Sequence, residues 1–143
     1  MTTGYYKVPI SFESLMNRVD LPKTNLQDSI KQYLKLIIVT RFGELDSDVN
    51  FGCKIWEDDF SLGTNQLNYT EELKEHLQHV IFNYEKRLSD VKVNLLISQE
   101  VLGDQKGSSI KTRLDIEIKA VISKTNAPFQ NVYSMYISPY ASI

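Results

Sequence analysis

The chain has 143 residues, 42% of them hydrophobic and 24% charged, with 16 basic and 18 acidic side chains for a net charge of −2. That length and composition specify one globular domain over residues 1–143, and the balanced charge leaves no bulk attraction for nucleic acid or anionic lipid. The lone cysteine, Cys53, excludes an internal disulfide. No stretch approaches the ~20 apolar residues of a membrane helix, and MTTGYYKVPI lacks the basic region and apolar core of a secretory signal, so a cytoplasmic protein without membrane insertion is expected.

Residues 1–10, with two tyrosines and Pro9, read as extended. Ser11 to Val19 predicts a short helix with Phe12, Leu15, Met16 and Val19 on one face, ended by Leu21-Pro22. Residues 24–39 predict the first long helix, with Thr24 and Gln27 as a capping box and Leu26, Ile30, Tyr33, Leu34, Ile37 and Ile38 as its apolar face. Residues 40–63 carry no sustained period and are punctuated by Gly43, Gly52 and Gly63. Phe42, Val49, Phe51, Ile55, Trp56 and Phe60 make this stretch too apolar for a free linker, so it is expected to lie packed on the core.

The second long helix is predicted from an N-cap at Thr70, with Leu73, Leu77, Val80, Ile81, Tyr84 and Leu88 at spacings of three and four. At Val91 the period changes to two. Strands are predicted over 91–101, 110–122 and 132–137, with a hairpin loop at 103–107 and a turn at Asn126-Ala127-Pro128. The middle strand is the cleanest, with Ile110, Thr112, Leu114, Ile116, Ile118, Ala120 and Ile122 alternating against Lys111, Arg113, Asp115, Glu117 and Lys119. The expected architecture is α+β, two main helices packed on one face of a small, mainly antiparallel three-stranded sheet.

Little in the chain has the pattern of an enzyme. His76 and His79 lie three apart with Glu72 and Glu75 nearby, but lack further ligands at metal spacing, so a solvated helix face is expected and no metal or cofactor. Glu57-Asp58-Asp59, with Glu44 and Asp46, offer carboxylates to a peptidoglycan-cleaving, lysozyme-like glycosidase, the alternative function. That chemistry needs two acids at a set separation, one in an apolar pocket, and adjacent loop acids usually face water. A small-ligand module finds no pocket signature. Glu85 and Arg87 stand at the joint between helix and strand, where the bland reading is a solvated helix end.

These residues carry a resemblance. Tyr84-Glu85-Lys86-Arg87-Leu88 followed by Val91-Lys92-Val93 resembles the Glu-Pro-Arg elbow of the phage baseplate-wedge proteins and the type VI secretion baseplate protein TssE. Thr40-Arg41-Phe42-Gly43-Glu44 and Phe51-Gly52-Cys53 resemble the family's Thr-Arg-x-Gly-Glu and Phe-Gly runs, in the same order, over about residues 24–122. Lys86 replaces the family's proline, Leu45 stands where an arginine is common, and Val49-Asn50 replaces a frequent Pro-Asp. The resemblance implies a structural, non-enzymatic baseplate component of a contractile injection apparatus, a secretion system or a phage-tail-like particle. It would link the wedge to the first sheath ring and initiate sheath assembly, in contact with other wedge proteins and sheath subunits. It implies partner contacts at Glu85, Arg87, Thr40, Arg41, Gly43, Glu44, Phe51 and Gly52. Tyr133 and Met135 join that set because the last strand, with no charge or proline over 132–137, would make an unguarded sheet edge.

Overall fold

A computed structural model describes residues 4–56, 66–103, 107 and 109–138. The fold is α+β, with three α-helices and two antiparallel sheets among the described residues. In chain order these are β1 (Tyr5–Tyr6), α1 (Phe12–Met16), β2 (Lys23–Thr24), α2 (Leu26–Val39), a 3-10 turn at Lys54–Trp56, α3 (Gln66–Tyr84), β3 (Leu88–Leu102), β4 (Ser109–Ile122) and β5 (Ala127–Ser138). β1 pairs with β2, and the larger sheet is a meander in the order β3-β4-β5.

Helix starts moved from their expected positions for identifiable reasons. Thr24 is not the cap of α2, because it is paired with Tyr5 in the small sheet. Asn25 caps instead, its side-chain oxygen accepting the Asp28 N–H at 2.8 Å. Thr70 lies inside α3, which begins at Gln66. Tyr69 stands four residues before Leu73 and is half-buried against the core, so the apolar stripe extends a turn further back than the sequence pattern suggested. Leu88, read as the last apolar residue of that helix, is the first residue of β3 and is buried.

The strands keep the expected face. Thr112, Leu114, Ile116, Ile118, Ala120 and Ile122 are buried while their neighbours are at least partly exposed. Ile110 departs from the pattern: it sits opposite Val101 where the β3–β4 hairpin runs beyond the core, and both are exposed. β3 carries an irregularity between Ser89 and Lys92, with Asp90 at φ 50°, so the strand begins on a bulge directly after the elbow. β5 is twice the expected strand, starting at Ala127, so Pro128 lies within it rather than in the turn. Proline is at home there, near the start of an edge strand.

One buried cluster joins Ile30, Leu34, Ile37 and Ile38 of α2, Leu73, Leu77, Val80 and Ile81 of α3, and Val93, Leu114, Ile116, Ile118 and Phe129 of the sheet. Phe51, Cys53 and Ile55 belong to it too, so the aperiodic stretch does lie on the core, although Val49 points to solvent. α1 forms as expected behind its Ser11 cap, but buries nothing: Phe12 is 77% and Met16 85% exposed.

Candidate interaction site at the elbow and its loop

α3 closes with the Glu85 N–H donating to the Ile81 carbonyl at 2.8 Å, after which the chain turns through Lys86 and Arg87 into β3. The expectation of a solvated helix end fails here. Glu85 is 2% exposed, its carboxylate held from two sides of one guanidinium: Arg87 Nε donates to Oε1 at 2.8 Å and Nη2 to Oε2 at 2.7 Å. The Arg87 backbone N–H adds a bond to Oε1 at 3.0 Å. A planar fork meeting both carboxylate oxygens is the strongest common ion-pair geometry. Its hydrogen bonds to Glu85 hold the Arg87 guanidinium above its usual range, against a smaller opposing effect of burial.

Arg87 also ties three chain segments together. Nη1 donates to Ser29 Oγ of α2 at 2.9 Å, the guanidinium carbon lies 5.7 Å from the Tyr5 ring centre, and the Arg87 carbonyl accepts the Ser123 N–H after β4. Lys86, where the family has proline, is exposed and reaches back to the Phe82 carbonyl. The elbow therefore turns inward, bracing its own fold.

The neighbouring loop, residues 40–53, is held by bonds that leave its shape little freedom. Thr40 Oγ1 donates at 2.6 Å to the Leu36 carbonyl, which also accepts the Thr40 N–H, and Trp56 Nε1 donates at 2.8 Å to the Ile38 carbonyl, satisfying an open carbonyl at the end of α2. Arg41 and Cys53 form a parallel bridge, with Cys53 N–H donating to the Thr40 carbonyl and Phe42 N–H to the Cys53 carbonyl. Glu44 turns back on the loop, its Oε2 accepting the Arg41 N–H at 2.8 Å while its own N–H donates to the Arg41 carbonyl. Gly52 sits at φ +119°, and a Cβ there would meet the carbonyl oxygens of Thr40 and Arg41 at 2.8 Å. Only glycine fits both the angle and the approach.

Loop and elbow meet at α3. Phe51 stacks edge-on against Tyr84 at 5.1 Å and tilted against Tyr33 at 6.2 Å. The Tyr84 hydroxyl donates to both oxygens of Asp48 at 2.8 Å, which with its partial burial pushes the phenol pKa up. His76 Nε2 lies 3.3 Å from the Gly52 carbonyl, whereas His79 lies 2.9 Å from Asn83, so the two histidines face different partners and do not converge.

Of the ten residues expected to meet partners, only Arg41, Gly43 and Glu44 are exposed. Thr40 is half-buried, and Phe51, Gly52 and Glu85 are buried. Tyr133 and Met135 point to the inner face. Met135 is buried, and the Tyr133 hydroxyl donates to the Lys31 carbonyl at 2.8 Å, burial pushing its pKa up to about 12. Neither side chain is therefore presented on the outer face of the sheet. Among the described residues nothing pairs with the outer edge of β5. Of the glycosidase candidates, Glu44 is spent on the loop backbone, and Glu57, Asp58 and Asp59 lie outside the described residues.

Sequence reasoning missed the outer face of the sheet. Arg113 donates to Asp115 at 2.9 Å, to Glu100 at 2.9 Å and to Ser134 at 3.3 Å, and Tyr136 donates to Glu100 at 2.9 Å, so one cluster spans all three strands. The bonds from Tyr136 and Arg113 hold the Glu100 carboxyl below its usual range. The charge alternation of β4 signals this face, but partners 13 to 36 residues away come only with the register.

Two long helices and a three-stranded meander, with an inward elbow and a stapled loop, define an α+β domain. The family of baseplate wedge protein gp25 matches residues 24–127, and the chain belongs to that family. A crystal structure from Geobacter sulfurreducens, of a protein provisionally named a tail lysozyme, superposes with a TM-score of 0.57 at 22% identity, covering 83% of this chain and 97% of that one. That likeness bears on the fold. No curated protein matches the chain. No described helix is long and apolar enough to cross a membrane.

Proposed function

We propose that this protein is a structural baseplate component of a contractile injection apparatus, a type VI secretion system or a phage-tail-like particle, that joins the wedge to the first sheath ring and starts sheath assembly. Family membership over residues 24–127 supports the baseplate role. The observation that carries the sheath role is β5, an edge strand of 12 residues whose outer side pairs with nothing described. In this reading α2 and α3 cover the inner face of the sheet. The shared core cluster and the Tyr133 bond to α2 support that arrangement. Such cover leaves the edge as the open side. An unguarded edge presents a row of free N–H and C=O groups, which accept an added strand through main-chain bonds. Wedge proteins and sheath subunits are then the partners, with the particle in the cytoplasm.

Strand addition tolerates side-chain change but not loss of a donor. Proline at Ser134 or Tyr136, whichever amide faces outward, is expected to block sheath polymerisation on an otherwise intact baseplate, while alanine at the same position is mild. The outward amides are those that exchange fast in the free protein. Equal protection of this strand in the free protein and the sheathed particle would end the docking idea.

The same reading makes the protein non-enzymatic. Purified protein is expected to release no measurable product from peptidoglycan. Turnover that vanishes in Glu44→Gln or Glu57→Gln would establish the glycosidase instead.

A further inference from the structure

An open depression of about 600 Å3 lies beyond the C-terminal end of α2, lined by Val39, Arg41, Phe42, Gly43, Glu44 and Trp56. We propose that it receives an acidic side chain of a neighbouring baseplate polypeptide, the carboxylate on the Arg41 guanidinium and the adjoining aliphatic part of that partner against Phe42 and Trp56. The proposal rests on the assembly role above and adds the chemistry of the partner.

Three observations carry it. First, Arg41 is fixed at its root. Its N–H bonds to Glu44, its carbonyl accepts from Glu44, and it bridges to Cys53, so its structural work is done by the backbone and the side chain is left to project from a rigid base. Second, the guanidinium makes no hydrogen bond or ion pair among the described residues, because the adjacent Glu44 directs its carboxylate to the Arg41 backbone. This contrasts with Arg87 and Arg113, whose forks are filled from within the fold. Third, the walls suit such a guest. Phe42 and Trp56 supply apolar surface, Trp56 is pinned through its Nε1, and the Lys54 ammonium lies 5.2 Å from the Phe42 ring centre as a second cation.

A guanidinium is weakly hydrated and matches a carboxylate bidentately, so a half-apolar recess around it favours a carboxylate flanked by methylenes. Arg41 and the nearby Lys54 outnumber the one lining acid, Glu44, whose carboxylate bonds the Arg41 N–H, so the charge complement is an acid. A nucleic-acid phosphate is disfavoured, since the chain as a whole has a net charge of −2 and no basic tract to hold a backbone.

The test uses assembled baseplates. Arg41→Ala should fold with native stability, because the loop is held through main-chain atoms. Its incorporation should fall about tenfold or more, the size expected of truncating an interfacial anchor. Arg41→Lys keeps the charge without the fork and should incorporate better than alanine. Carbodiimide treatment of particles built with Arg41→Lys should join the substituted amine to an Asp or Glu of a different polypeptide, identified by mass spectrometry of the linked peptides. Coupling only to Glu44 or to residues 57–59 of the same chain would overturn the proposal, as would native-level incorporation of Arg41→Ala. If the native protein itself were absent from purified baseplates, the assembly role would fall and this inference with it. Normal native incorporation alongside unaffected Arg41→Ala removes this inference alone.

Discussion

Arg87→Ala is expected to lower the free energy of unfolding by about 3 kcal/mol, the low end of the range for breaking a buried ion pair. The low end applies because the Arg87 side chain is 30% exposed, so water reaches part of the vacated space. The cost arises because Glu85, 2% exposed, would remain as a buried carboxylate with only the residue-87 backbone N–H to solvate it. Glu85→Ala should cost less, since the freed guanidinium can turn toward solvent and keep its bond to Ser29. Urea unfolding of both variants with unchanged m-values gives the comparison. Losses for both within about 0.5 kcal/mol, the ordinary range of surface changes, would restore the solvated helix end. Both variants should also be depleted from purified baseplates. The structure gives that depletion a route through the fold, because the pair braces α2, the N-terminal segment and the start of β3 rather than facing outward.

Gly52→Ala is expected to cost about 3 kcal/mol, combining a backbone conformation that L-residues avoid with a forced shift of neighbouring main chain. The Cβ would stand 2.8 Å from the carbonyl oxygens of Thr40 and Arg41, and backbone cannot swing aside as a flexible side chain can. The first bonds lost would be Cys53 to Thr40 and Phe42 to Cys53, which hold residues 40–44 against the core. Gly43→Ala is the control. Gly43 also has a positive φ, +82°, but nothing lies within 4 Å of its added Cβ, so only the conformational cost of about 1 kcal/mol remains. Thermal or urea unfolding of the two variants should separate them by about 2 kcal/mol. Equal losses would mean that the close approach of residues 40–41 to Gly52 contributes nothing.

The strands and helices were legible where one residue face meets one environment. The period-two alternation of residues 112–122 states directly which side is covered, and Leu73, Leu77, Val80 and Ile81 do the same for α3. The rule failed at the ends. Ile110 continues the alternation past the edge of the core, and alternation cannot tell where the covering layer stops. Leu88 satisfied the helical spacing and is nonetheless a strand residue, because the elbow breaks the helix after Tyr84. α1 has a well-formed apolar face over Phe12 and Met16, yet both stay exposed, so amphipathicity alone did not imply burial.

What the sequence determined by itself is therefore local: the fold class, the long helices, the alternation of the sheet, and the two glycine-bearing runs with the elbow that mark the family. Those properties depend on neighbours within a few residues, where spacing is set by backbone geometry. What only the tertiary structure decided is which charges are buried and which are free. Glu85 and Arg87 are two residues apart and read alike as solvated, but Ser29 and Tyr5 close over them from distant parts of the chain. Tyr84 and Asp48 meet across 36 residues, and Arg113 gathers Glu100, Asp115 and Ser134 only once the strands are in register. Burial of a charge is a property of everything that surrounds it, and a one-dimensional pattern holds no information on which distant segment will arrive there.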